Sequence, residues 1–416
     1  MLIRKFSRKK IHYGWIVCLC CTLVYMCTCG MPVSGFYPYM PFLEELGYQG
    51  SLLSSLVTIR CLTSFITLLF VAAFYKKVNL RTGLTVSCLI IAFASFLMSF
   101  ANHFIYYAVG ACLNGIGYGL GTIIPVSMLM TNWFSKRRTT AISVCVAGSA
   151  LSNTFFPPLI TGLATRNSLS TAFRVMCLIP CFVAVIVFIL VRDCPSKKDL
   201  RPFGAETIVE ESSCPSDTEK KHFTLSGWPF CLLCLGIALL GGFTMAASNH
   251  FSVLFTSFGY SKQSVALASS IEGIMLLLGK LLFGIIADKI GGKRTLVLFL
   301  LILLFGTVLG CFAYNNIFLM YIGLMLVGFG YPPSTIGAPV LAGDLASSQD
   351  YPRFLKNLQT CYTFGSIIIS SLPGWFYDLT GSYLPGFAVL CCFLVMFLIS
   401  ILFGYRFHTR SVSRAV

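Results

Sequence analysis

Charged side chains are scarce in this chain of 416 residues. They make up 11% of it, and only 14 are acidic, whereas a soluble domain carries about 25% charged residues. A soluble globular protein is therefore excluded. The phosphate-cradling pattern G-x4-G-K-[ST] is missing, which argues against direct drive by ATP. No nucleophile, base and orienting group occur together, and no cluster has metal-ligand spacing, so the sequence offers no enzyme, cofactor or metal centre. The first apolar stretch lacks a small-residue cleavage site and reads as an uncleaved helix, not a signal peptide. The longest polar piece, residues 192–225, is too short for a signalling domain.

What the chain has in abundance is apolar length. Hydrophobic residues make up 56% of it, and the mean hydropathy is +0.83. Twelve runs are long enough to cross a hydrocarbon core of ~30 Å, near 14–36, 51–74, 82–101, 104–132, 139–165, 171–191, 226–256, 263–289, 294–313, 316–344, 354–378 and 384–406. Where no water can satisfy the backbone, runs of this length must be helices. The net charge of +16 reports orientation, because 25 of the 30 basic residues lie in the termini and the alternate loops of one side. That positive-inside bias predicts cytoplasmic termini in a multi-pass protein of the cell (inner) membrane, the short loops being of bacterial type, and leaves no role for nucleic acid. The 19 cysteines are scattered through the apolar runs, so no disulfide framework is expected. Cys231 and Cys234 form a lone CxxC on an apolar run and read as filler.

The chain repeats itself. GACLNGIGYG from Gly110 returns as GLMLVGFGYP from Gly323, 213 residues later. The same shift carries Arg81-Thr82 onto Arg294-Thr295, and a slightly larger one relates AGSALSNTFFPPLITGLAT to FGSIIISSLPGWFYDLT. Two six-helix bundles, 1–191 and 226–416, are thus predicted on either side of a mobile linker over 192–225. Parallel repeats of this kind place a binding site between the halves near mid-depth. Gly115, Gly117, Gly119, Gly121, Gly328, Gly330 and Gly337 permit close helix approach, and Pro125, Pro332, Pro333 and Pro339 predict kinks in the fourth and tenth runs.

Residues 284–294, GIIADKIGGKR, place Gly284, Asp288, Gly291, Lys293 and Arg294 in the spacing G-x3-D-x2-G-x-K-R. A carboxylate at a helix end can face a neighbouring helix N-terminus or a cation in one state and leave it in another. The first-half copy has Val71, Tyr75 and Val78 at the corresponding places, so the second half should dominate such switching. This pattern resembles the cytoplasmic signature of the major facilitator superfamily. The resemblance implies an all-α polytopic fold of twelve transmembrane helices in two pseudo-symmetric six-helix bundles. HYGWIV at 12–17, NWFSKRR at 132–138, GKLLFGIIADKIG at 279–291 and DLTGSY at 378–383 are similar to the oxalate/formate antiporter and monocarboxylate porter branch.

Ionisable groups inside apolar runs mark function by default, because burying one costs about 2.5–3.5 kcal/mol on insertion scales. Arg60 lies nine residues after Ser51, roughly 13 Å in from the outer surface, and Lys280 eight residues from Asp288, about 12 Å from the inner one. Two fixed cations between the halves predict an anion site, and a guanidinium suits a carboxylate through paired hydrogen bonds. The resemblance points the same way, since that branch carries a substrate-binding arginine where Lys280 stands. It also implies a cation where this chain has Phe364, and in eukaryotic porters an aspartate where it has Leu276, so neither oxalate specificity nor their proton logic transfers. Glu272 is the acidic substitute, because a carboxyl away from water can exchange a proton near neutral pH; the alternative pairs it with Arg60. Tyr37, Tyr39, Tyr118 and Tyr331 are candidate donors to a carboxylate, with packing as the alternative, and His250 is a candidate titrating group. The expectation is a monomeric secondary transporter for a small organic anion, proton-coupled or exchanging. Its rivals are a carrier of uncharged or amphipathic cargo and a non-translocating sensor.

Overall fold

The computed structural model describes residues 12–33, 39–48, 50–101, 103–198, 200–204 and 224–415. Twelve helical crossings are labelled here in chain order: α1 Tyr13–Val33, α2 Gly50–Lys77, α3 Leu80–Met98, α4 Phe104–Trp133, α5 Arg138–Arg166, α6 Leu169–Leu190, α7 Trp228–Ser257, α8 Lys262–Ile290, α9 Gly292–Cys311, α10 Ile317–Leu345, α11 Tyr351–Ile369 and α12 Leu384–Ala415. Eleven of them are long and apolar enough to cross a membrane. The exception is α11, which stops at Ile369 and resumes as Leu372–Thr380. Pro373 explains the stop, because its ring collides with the carbonyl four residues back, that of Ile369, and it has no N–H to offer.

The same collision divides α4 at Thr122: Pro125 faces the carbonyl of Gly121, four residues back, where the first piece ends. That freed carbonyl accepts a hydrogen bond from the Thr28 hydroxyl at 2.9 Å, and Leu120 O accepts one from Tyr75 at 2.7 Å. α10 is likewise divided before Pro333. Pro339, by contrast, sits inside a continuous helix and does not break it.

Small residues set the helix spacing at equivalent places in the two halves. A Cβ on Gly115 of α4 would stand 2.5 Å from the backbone oxygen of Arg60, and one on Gly328 of α10 would stand 2.3 Å from that of Glu272. These glycines are 213 residues apart, which is the shift read from the sequence. Gly148 against Thr22 O and Gly365 against Ala238 O form a second such pair, joining α5 to α1 and α11 to α7. The eighteen described cysteines are free thiols, so no disulfide among them joins the helices.

The described ends of the 192–225 segment are docked; residues 205–223, the middle of the expected linker, lie outside the described residues. The Phe203 amide donates to Trp133 O at 2.8 Å, its carbonyl accepts from Ser135 and Lys136, and its ring packs among His12, Trp15 and Phe134. At the other end the Leu225 amide donates to Leu345 O at 2.9 Å. An apolar side chain at each end supplies the hold that the polar composition of the segment did not suggest.

Candidate functional site

The two cations stand on opposite sides of the boundary between the halves, Arg60 on α2 and Lys280 on α8. Both are buried, with 8% and 2% of their surfaces exposed. Each is within electrostatic reach of Cys29 on α1. Cys29 belongs to a single π-helical turn, Met26–Gly30, a local widening that recurs at functional sites in helices. Tyr25 shares a side-chain hydrogen bond with Cys29, and Tyr118 and Tyr362 lie near enough to interact with both. Side chains from α1, α2, α4, α8 and α11 thus gather around Cys29 at the boundary between the halves.

Arg60 is poorly satisfied there. One guanidinium nitrogen donates to the Cys61 sulfur at 3.5 Å, and Nε is buried without a hydrogen-bond partner among the described residues. Lys280 Nζ donates across the boundary to Ser149 Oγ on α5 at 2.8 Å. Buried donors in native proteins are nearly always paired, so the orphaned Nε of Arg60 is an exception. Glu272 is half-buried beside Tyr331, and among the described residues no cation acts on it; it does not pair with Arg60 in this structure. Tyr331 has its hydroxyl engaged within its own half, donating to Thr244 O and sharing a bond with Ser248, both at 2.8 Å. Tyr118 is half-buried and within electrostatic reach of Arg60. Tyr39 stacks on Phe173 with ring centroids 4.1 Å apart, and His250 bonds to Ala246 O beside Tyr383. Tyr37 lies outside the described residues.

At the basic face the Asp288 carboxylate reaches across the boundary to the first turn of α5. It accepts from the amides of Thr139 at 3.1 Å and Thr140 at 2.8 Å, and from the Thr140 hydroxyl at 2.5 Å. A carboxylate at a helix N-terminus satisfies orphan N–H groups and complements the helix dipole. One turn deeper, Gly284 packs so closely on α5 that an added Cβ would stand 2.3 Å from Ser143 Oγ. Gly291 ends α8 at φ +92°, where a side chain would be strained. Lys293 stays in its own half over the Tyr405 ring, and Arg294 is exposed. The first-half copy does not cross the boundary by its central residue, since Tyr75 donates to Leu120 O of its own half. On the other side of the boundary, Phe364 of α11 meets Phe65 of α2 at 6.0 Å. Sequence reasoning missed Thr139, Thr140, Ser149, Cys29 and Tyr362. Only the threonines had a positional signal that could have found them, since they directly follow NWFSKRR.

A sequence profile of the Major Facilitator Superfamily matches residues 18–255 and 231–415. The chain belongs to that superfamily. Among curated proteins this facilitator is 22% identical to mouse (Mus musculus) "Monocarboxylate transporter 12" over 424 residues, covering 94% of this chain and 85% of that one. It is 22% identical to bovine (Bos taurus) "Monocarboxylate transporter 13" over 323 residues, covering 77% and 72%. Among solved structures, the E. coli fucose:proton symporter FucP superposes with a TM-score of 0.73 at 12% identity, covering 94% of this chain and 99% of that one. A double-tryptophan mutant of XylE gives 0.74 at 13% identity, covering 95% and 96%. The facilitator fold of twelve helices and a role in membrane transport follow, with the monocarboxylate porters as the similar branch.

Proposed function

We propose that this transporter carries a small organic monocarboxylate across the cell membrane by alternating access, as a monomer with its basic face and both termini in the cytoplasm. The reading rests on one observation above others: Arg60 and Lys280, one from each half, are buried within reach of the same thiol, and Arg60 keeps an unpaired N–H there. A carboxylate between them would satisfy the guanidinium and bring both halves onto one ligand. Tyr118, within electrostatic reach of Arg60, would add a hydrogen bond, and the names of the curated relatives support the substrate class. Glu272, half-buried and with no neighbouring cation among the described residues, is the proton carrier in a symport cycle; exchange of one anion for another is the alternative drive. Asp288, Gly284 and Gly291, with Lys293 and Arg294 beside them, close the cytoplasmic side while the far side is open.

The test is uptake by the purified protein in liposomes of labelled acetate, lactate, pyruvate, formate and oxalate. Each acid is offered with an inward proton gradient and, separately, against unlabelled anion trapped inside. Uptake of a monocarboxylate that is lost in Lys280→Gln is the expected result, and the drive it needs separates symport from exchange. No uptake of any acid by folded protein would overturn the reading in favour of uncharged cargo.

A further inference from the structure

Lys280, Gly284 and Asp288 are spaced four residues apart on α8 and so stand above one another on one face. All three meet α5 of the other half, through Ser149, Ser143 and Thr139–Thr140 respectively. The cation assigned to substrate and the carboxylate assigned to the gate are thus fastenings on a single rail, about 12 Å apart along the helix. Ser149 is oriented for its part: its hydroxyl donates to Val146 O at 3.0 Å, which leaves the oxygen lone pairs for the Lys280 ammonium.

We propose that Ser149 is the resting partner of Lys280, and that a substrate carboxylate displaces it, so that anion binding undoes the innermost of the three α5–α8 fastenings. This rests on the carboxylate reading above. A neutral hydroxyl is the weaker acceptor, since ionised partners make hydrogen bonds roughly twice as strong, so the carboxylate wins the ammonium when it arrives. Ser149 touches no substrate in this scheme; it positions Lys280 and keeps the empty carrier shut at the basic face. Binding and gate release then share one side chain and need no long-range relay.

The test uses full-length protein and the monocarboxylate that wild type binds, with Ser149→Ala measured against Ser149→Thr. Removing the competing hydroxyl should tighten equilibrium binding about tenfold, the size of one hydrogen bond to a charged group, while threonine keeps it near wild type. In a Lys280→Gln background, where substrate is lost, the alanine change should leave hydrogen exchange at Thr139 and Thr140 unmoved, whereas a packing defect would still speed it. Hydrogen exchange at Thr139 and Thr140 should be faster in empty Ser149→Ala than in empty wild type, and added substrate should speed it in wild type. Should alanine cost the fold, Ser149→Cys, nearly isosteric and a poor acceptor, should shift both readouts the same way. Unchanged or weaker binding in Ser149→Ala, or the same shift without Lys280, overturns the proposal. If wild type binds no carboxylate, the substrate reading falls alone, and equal exchange rates in the empty proteins would then overturn the fastening itself.

Discussion

At the scale of single residues, the two cations differ in what they can be exchanged for. Arg60 has an unpaired Nε and a second nitrogen resting on a thiol, so its geometry and its charge are both available to a planar carboxylate. Arg60→Lys keeps the charge and loses the fork; it should raise the KM for monocarboxylate uptake about tenfold, the size of one charge-assisted hydrogen bond, at similar melting temperature. Tyr118→Phe should raise KM as well, because Tyr118 lies within electrostatic reach of Arg60. Tyr331→Phe should instead lower thermal stability, since it removes the hydroxyl bound to Thr244 O and Ser248, and initial-rate kinetics beside melting curves separate the two tyrosines. Arg60 and Lys280 were legible in the sequence because ionisable groups in apolar runs are rare. Ser149 was not, since a serine on a helix is ordinary and the ammonium it meets is 131 residues away.

At the scale of elements, the α5–α8 crossing is fastened by a helix cap that comes from the wrong half. Asp288→Asn preserves shape and removes the charge facing the α5 N-terminus, an interaction worth typically 0.3–1 kcal/mol and up to ~2 when partly buried. It should speed hydrogen exchange at Thr139 and Thr140 and shift the carrier toward opening at the basic face, read as altered kcat with the fold intact. The motif was visible as a spacing, but its acceptor helix was not, because no sequence pattern states which N-terminus a carboxylate will reach. The helix breaks show the same limit. Pro125 and Pro333 announced interruptions, whereas the use of Thr28 to satisfy Gly121 O depends on α1 lying against α4. A second carboxylate fastens the linker: Asp350 accepts from the hydroxyls of Thr224 at 2.6 Å and Ser347 at 3.0 Å, and those bonds hold its carboxyl below the ordinary aspartate range. With the folded value depressed, the stabilisation is present above the ordinary value near 3.9 and is lost as pH falls toward and through the lower one. Limited proteolysis near Thr224 should therefore accelerate only under acid conditions in wild type, and already at neutral pH in Asp350→Asn.

At the scale of the whole molecule, the halves touch at two places, through α5–α8 and through α2–α11. The repeat shift of 213 residues made the halves legible, and Gly115 on Arg60 with Gly328 on Glu272 shows why: the same close approach is kept twice while the ionisable residue beneath it changes sign. What the repeat could not show is which contacts bridge the halves, because these are the places where the two copies differ. Tyr75 stays inside its half where Asp288 crosses, and Phe364 replaces a cation expected from the similar branch with a ring that meets Phe65. If the halves rock, the Phe65–Phe364 contact must part in each cycle. Phe65→Cys with Phe364→Cys, joined by a short bifunctional thiol reagent, should stop uptake, and cleaving the link should restore it. Joining the native Cys18 and Cys145 thiols, 3.6 Å apart between α1 and α5 of one half, should leave transport running, because that distance lies inside a unit that moves as one. Undiminished uptake through the Phe65–Phe364 link would mean that α2 and α11 stay together throughout, and would confine the opening motion to the α5–α8 flank where Lys280, Gly284 and Asp288 lie.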